Sequence, residues 1–485
     1  MACRDLSHKF PGQVLFHRST ECGKSERKYW AYQQQVLEPA CVFEPAHSDQ
    51  VAHMIQASQK YRCPFAVKSG GHGAFAGASN IEGGITMSLE RLDEIHISDD
   101  SSLVTIGMGN IWLDVYERLE ARKLAVAGGR YPSVGVGGLS LGGGQSFFAS
   151  SRGWTCDNIR SYQVVLADCQ VIEANETSHP DLHWALRGGG NNFGVVTKIT
   201  METFPMMDGK MWGGLRIHSE DQFAQVLHAA NNLGNMEADE NVNGAQIINF
   251  MSVQGKKLAV AILTHSVPEP NPPVMSEYLS IPAIVDTTHI RSLTNMSREL
   301  GSSEGQLRNV THVLKARGTA TFALNEDIMT YAKDVCYDTL AELANVENAD
   351  PNCVFQIITK PQLEASVIKG GNAFDLKVKD GPLFLLNIQV GWTNGGDSQR
   401  VQQAAQNALE RTISYGRENG WDQEFQYMNY AGEFQDVIAS YGKLAKDRLM
   451  ATAEKYDPKG VFQKLQPGYF KLEGDPSGNR SVFSG

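Results

Sequence analysis

None of the 8 cysteines in this chain pairs as C-x-x-C, which argues against a structural zinc site. Long apolar runs are missing as well: stretches such as 383–390 are far too short to cross a bilayer. Positive charge is in deficit, with 43 Lys and Arg against 54 Asp and Glu and a net charge of −11. No basic excess is therefore available to attract nucleic acid or an anionic membrane. No glycine-rich stretch ends in Gly-Lys-Ser/Thr, which excludes a Walker loop. Counted from Gly135, the sixth position is Ser140, so the dinucleotide fingerprint G-x-G-x-x-G is not met either. Fixed-period repeats and low-complexity tracts are absent. The N-terminal Met-Ala-Cys-Arg-Asp-Leu-Ser has no apolar core of a signal peptide. The expectation is a cytosolic protein or the mature form of a secreted one. Sequons at Asn175, Asn295, Asn309 and Asn479 lean towards the secretory pathway.

What is present fits an ordinary globular protein, with 42% hydrophobic and 20% charged residues. At 485 residues the chain exceeds what one core fills, so two domains are expected. Residues 38–205 read as alternating short strands and helices. Strands are expected at 39–43, 65–67, 85–89, 95–97, 103–108 and 163–167. Helices are expected from Ser48, with Val51, Met54 and Ile55 on one face, and over 111–122. From about residue 208 the character changes to strands at 211–217, 245–251, 257–264 and 384–392. Helices at 221–232, 325–344 and 399–415 punctuate them, which suggests an antiparallel sheet covered by helices on one face. The proline-rich 267–273 is a stiff connection. Cys3 beside the terminus and Cys41 at the start of a strand suit a disulfide that pins the chain end.

Three glycine-rich segments carry the chemistry. In the first, the strand at 65–67 ends in Val67-Lys68-Ser69-Gly70-Gly71-His72-Gly73, which continues to Ser79. Glycines let backbone N–H groups converge on an anion, and the histidine ring would lie beside it. The second runs from Ala127 to Gly144, where apolar residues alternate with glycine; an exposed loop rarely has that pattern, and close approach to a large flat ligand explains it. So many glycines also disfavour regular structure there, each costing about 1 kcal/mol in a helix. The third, Arg187-Gly188-Gly189-Gly190 to Phe193-Gly194-Val195-Val196, turns into a β-branched strand.

Taken in order, the sequence resembles the berberine-bridge-enzyme-like branch of the vanillyl-alcohol-oxidase superfamily. The motifs are Ser69-Gly70-Gly71-His72, Pro132-Ser133-Val134-Gly135-Val136-Gly137-Gly138 with Gly142-Gly143-Gly144, the Arg187–Val196 cluster, Tyr427-Met428-Asn429-Tyr430, and Tyr456-Asp457-Pro458. The resemblance implies an α+β, two-domain PCMH-type FAD-binding fold: residues 1–207 plus 430–485 for FAD, with a substrate domain inserted at 208–429. FAD is the implied cofactor. Its expected contacts are Ser69, Gly70, Gly71, Gly73 and Ser79 from the first loop, and Tyr131, Pro132, Val134, Gly137, Gly138, Gly142 and Gly143 from the second. Gly194, Val196 and Asn429 complete them. His72 is the implied covalent tether to the flavin 8α-methyl; the alternative is a turn histidine beside a noncovalent flavin. Tyr131 stands where many members carry a second, cysteinyl link, so attachment through His72 alone is expected.

The resemblance further implies hydride transfer from a small-molecule substrate to flavin N5, with O2 as the acceptor that regenerates the cofactor. On the strand at 385–392, alternation places Asn387, Gln389 and Gly391 on one side. Neither amide is a base. Tyr430 and Tyr427 are candidates, with Asn387 assisting, and Asp375 is an alternative carboxylate. The position that bears a base tyrosine in some relatives falls near Arg152. A substrate of apolar, natural-product type is expected, with a carbohydrate or alcohol oxidase, or a flavin-containing cyclase or isomerase, as the alternatives. The partners are substrate and O2, without nucleic acid or membrane, in a monomer or weak homodimer. His179 and His183 lie four apart but are broken by Pro180, so no metal site is expected. Asp457 reads as a turn former.

Overall fold

The computed structural model describes residues 1–17, 29–253, 255–306 and 312–476. Cys22 and the sequons at Asn309 and Asn479 lie outside them. The N-terminal part holds two larger sheets and a two-stranded one, Leu124–Ala125 with Phe204–Pro205. In a four-stranded sheet, Phe65–Lys68, Ile85–Ser88 and Cys41–Phe43 run parallel, with Val14–Phe16 antiparallel at the edge. A five-stranded antiparallel sheet orders Ile95–Ile97, Leu103–Gly107, Val195–Glu202, Ile159–Val165 and Val171–Asn175. The expected strand at 163–167 is displaced towards the N-terminus, to Ile159–Val165, because the polar, outward Arg160, Ser161 and Gln163 hide its start. A Cys3–Cys41 disulfide ties the helix Ala2–Lys9 to the first sheet, and a second, Cys336–Cys353, ties a helix to a strand farther along. Of the free cysteines among the described residues, Cys156 is buried and Cys63 and Cys169 are half-buried.

A nine-stranded antiparallel sheet dominates the middle of the chain. At its centre Lys256–His265, Gly244–Val253, Asp350–Ile358, Leu383–Trp392 and Leu314–Ala323 lie side by side. Strict alternation gives each strand two faces. Ile248, Phe250, Phe355, Leu386 and Ile388 point to the helices Phe223–Asn235, Glu326–Glu342 and Ser398–Glu418, with which they form one hydrophobic core. Ile247, Ile262, Leu383 and Leu385 point the other way, into the core they share with the N-terminal sheets. The chain leaves the nine-stranded sheet at Asp422–Gln423 and returns to the N-terminal part through Phe425, Tyr427 and Met428. One glycine-rich stretch differs from expectation: Val136–Leu141 is a short helix despite Gly137 and Gly138. Packing overrides the propensity cost, since Gly137 lies 3.0 Å, at its would-be Cβ, from the Ser69 side chain.

Candidate active site

A long cavity, with about 1860 Å³ of empty space when its open mouth is included, separates the glycine loops from the nine-stranded sheet. Its loop wall is main chain. Gly70 and Gly135 approach so closely that a Cβ on Gly135 would lie 2.2 Å from the Gly70 nitrogen. Ser69 clamps the pair: its Oγ donates to the Met108 carbonyl at 2.6 Å and accepts from the Gly137 N–H at 3.1 Å. Beside them, His72 stacks on Trp30 with ring centroids 4.7 Å apart and planes 17° apart. Trp30 is held by its N–H to the Gly71 carbonyl, and the Arg317 guanidinium lies 4.1 Å over its ring. Ser79 is fixed through its N–H and hydroxyl to Gln34.

The opposite wall is made of side chains. Cross-strand register sets Asn249, Val354 and Asn387 in one row, and Ile262, Ile247 and Gln356 in the next. Asn387 is 1% exposed, and neither its Oδ1 nor its Nδ2 has a hydrogen-bond partner among the described residues. A buried amide left so is costly unless a ligand completes it. Where the walls meet, Tyr430 Oη receives an Arg130 N–H at 2.7 Å and a Gln356 N–H at 2.6 Å. Tyr427 packs edge-on against Tyr430 at 4.8 Å. Asn429 donates to Tyr427 Oη and to the Leu139 carbonyl, and accepts from Tyr469 Oη.

Most of the expected residues come together on this cavity: Ser69, Gly70, Gly71, His72, Gly73, Ser79, Tyr131, Val134, Gly137, Gly138, Gly194, Val196, Asn387, Tyr427, Asn429 and Tyr430 line it. Pro132, Gly142 and Gly143 do not. Pro132 instead packs against Gly301, and a Cβ on Gly142 or Gly143 would collide with Asn429 or Phe374 at 2.1 and 2.3 Å. Those two glycines make room for the Asn429 and Phe374 side chains. Tyr427 lines the cavity, but complete burial, reinforced by the neighbouring Tyr430, pushes its phenol well above the usual range and disfavours it as a base. Asp375 is half exposed beside Lys377, and Arg152 lies over the Phe204 ring at 4.3 Å, both away from the cavity. His179 bonds Tyr456, and His183 the Ile159 carbonyl. Burial and the Arg187 charge lower His183 to about 4. Asp457 accepts from the N–H groups of Val461 and Phe462, as a turn former does.

Sequence reasoning missed Trp30, Arg130, Gln356, Asn249 and Tyr469, all on the cavity wall. Arg130 sat inside the second glycine run, where attention to the glycines hid the one charged side chain they present. For Gln356 no local signal existed, since only its pairing with Ile247 and Leu385 brings it to this face.

Residues 39–175 match the FAD binding domain family. An FAD-dependent monooxygenase of Cochliobolus heterostrophus is 34% identical over 459 residues, 92% of this chain and 87% of the relative. The chain belongs to the FAD-binding family of this FAD-dependent monooxygenase, and it has the fold of berberine bridge enzyme, with a TM-score of 0.76 at 14% identity. Its fold is that of 6-hydroxy-D-nicotine oxidase from Arthrobacter nicotinovorans, with a TM-score of 0.78, 18% identity, and 96% and 98% of the two chains covered. A glucooligosaccharide oxidase of Acremonium strictum, whose FAD is 6-S-cysteinyl and 8α-N1-histidyl, superposes with a TM-score of 0.77 at 19% identity, covering 98% and 99%.

The residues present fit that family's cofactor. Gly70, Gly71 and Gly73 line the cavity, and their backbone N–H groups donate to no protein acceptor among the described residues. Such a cluster of unused donors suits a pyrophosphate. A Cβ on Gly138 would meet nothing within 4 Å, so the loop wall leaves open space along its length.

Proposed function

We propose that this chain is an oxidase of a small, largely apolar natural-product intermediate, with O2 consumed and H2O2 released. Bound FAD would supply the two-electron acceptor for a hydride from the substrate. Gly70, Gly71 and Gly73 would hold the pyrophosphate through their N–H groups, with His72 as the single covalent tether and Tyr131 in the place of a cysteine. The chain's own part is to bind, orient and move a proton. Ile247, Ile262 and Val354 offer an apolar bed on the sheet wall, and Asn387 offers a donor and an acceptor to fix the substrate on it.

The observation that carries the reading is Tyr430. Its oxygen lies on the cavity wall with donors from Arg130 and Gln356, which leaves its own O–H to be directed at a ligand. An oxygen so supported is equipped to exchange a proton with the substrate at the carbon that loses hydride. The test is a panel of apolar polyketide and alkaloid alcohols and oligosaccharides, assayed under ¹⁸O2. The proposal expects one H2O2 per product and no label in product. Label in the product would instead establish a monooxygenase. A second reading has its own support: the amides Asn249, Asn387 and Gln389 on the sheet wall match sugar hydroxyls. Peroxide release with oligosaccharides alone would establish it.

A further inference from the structure

The charge of the cavity opposes that of the protein. The chain carries −11, yet no aspartate or glutamate lines the cavity among the described residues, and Arg130 and Arg317 do. Arg317 is engaged with Trp30 and the Asn429 carbonyl. Arg130 is different. It forms no ion pair with a carboxylate among the described residues, and a single N–H of its guanidinium is used, on Tyr430 Oη. Its remaining N–H groups have no protein acceptor among those residues.

Nor is this a loosely held surface arginine. The backbone before it is pinned because Gly128 and Gly129 lie against Trp112, where a Cβ would come within 2.3 and 2.5 Å of the indole. Tyr116 Oη donates to the Gly129 carbonyl at 2.5 Å, and Ser297 Oγ to the Arg130 carbonyl at 3.0 Å. Two segments distant in sequence thus fix the root of the side chain, and Tyr430 fixes its head. The guanidinium sits at the sheet wall, since the oxygen it touches is also bonded by Gln356 of that sheet. The N–H groups of Gly70, Gly71 and Gly73 belong to the other wall. A planar cation with unused donors, preorganised in a cavity without carboxylates, is built for an oxyanion.

We propose that Arg130 is a specificity-determining residue that binds an acidic oxygen of the substrate, a carboxylate or an enolate. This rests on the reading of the cavity as an oxidase site and narrows its substrate class. The apolar bed then takes the rest of the molecule, and a neutral analogue loses affinity because it leaves the guanidinium unpaired.

Calorimetric titration of the purified holoprotein tests it, with two matched pairs as probes: 1-naphthoate against 1-naphthamide, and dimedone against its enol methyl ether. The expected result is that the acid of at least one pair binds about tenfold or more tightly than its neutral partner. The pair that discriminates tells carboxylate from enolate. Arg130→Gln should bring the two members of that pair to within about twofold, while Arg130→Lys, which keeps the charge, retains part of the preference. Equal binding within both pairs by the unmutated protein overturns the proposal without any variant, as does a preference that survives Arg130→Gln. Calorimetry reads binding whether or not flavin is present. The colour of the same sample therefore reports separately on the FAD-linked reading, and a colourless sample would count against that reading alone.

Discussion

The two walls of the cavity are made of different material. On the loop side, the surface is largely peptide backbone: Gly70, Gly71, Gly73, Gly135 and Gly138 line it without side chains, and Ser69 locks two loops together. On the sheet side, every contact is a side chain delivered by strand pairing: Asn249, Val354, Gln356 and Asn387, with Arg130 and Tyr430 at the seam. Backbone recognition suits a ligand that never changes, because it depends on chain path rather than on residue identity. Side chains on a rigid sheet suit a ligand that differs between relatives, since one substitution alters the chemistry without moving the frame. The loop wall should therefore fail through shape, and the sheet wall through chemistry.

The largest effect is expected where shape alone matters. Gly135→Ala places a methyl 2.2 Å from the Gly70 nitrogen, a backbone atom that cannot swing away. We expect a loss of about 3 kcal/mol in stability and a flavin-depleted protein, read from Tm and from the ratio of flavin to protein absorbance. Gly138→Ala, whose Cβ meets nothing, should keep Tm and lower flavin content only. A Gly135→Ala protein with full flavin would break the contrast.

On the sheet side, Tyr430→Phe should keep the fold and colour and lower kcat by about 100-fold. Tyr427→Phe should cost about 1 kcal/mol in stability through the lost Asn429 hydrogen bond and leave kcat within about tenfold. The reverse order would move the proton-transfer role to Tyr427, against the burial that holds its phenol neutral.

A further effect belongs to stability rather than chemistry, at a lysine that does not itself line the cavity. Lys471 is buried and bonds Asn191 Oδ1 and the Phe462 carbonyl; burial lowers its ammonium from 10.5 to about 7. Between those values the unfolded chain holds more protons than the folded one, so stability rises with pH across that window. Below about pH 7 the full penalty of a buried ammonium is present. Relative to Lys471→Met, the unmutated protein should gain on the order of 1–2 kcal/mol from about pH 7 to pH 9, read as a difference in Tm. A flat difference would mean that the ammonium is not desolvated.

Much of the loop wall was legible because glycine clusters are a local signal, and His72 stood out inside one. The central sheet was legible as well: the alternation at 385–392 placed Asn387 and Gln389 together, and the structure puts both on the cavity. What was hidden required long-range pairing. Strands Leu314–Ala323 and Asp350–Ile358 carry Arg317 and Gln356 to the site, but the first holds Lys, Arg and Gly and the second opens on Asp-Pro-Asn, so neither reads as a buried strand. Trp30 gave no signal at all, since its role comes from stacking on a residue 42 positions away. Pro132, Gly142 and Gly143 stand behind the cavity lining, because part of the motif marks where chains crowd.

The central claim is that the loop wall holds FAD through one bond, from His72. Acid precipitation followed by peptide mass analysis tests it most directly. The account predicts a yellow pellet, a flavin mass on the peptide containing His72 and on no other, and a colourless pellet from His72→Ala. A yellow supernatant over a white pellet, or flavin on a different peptide, would contradict it.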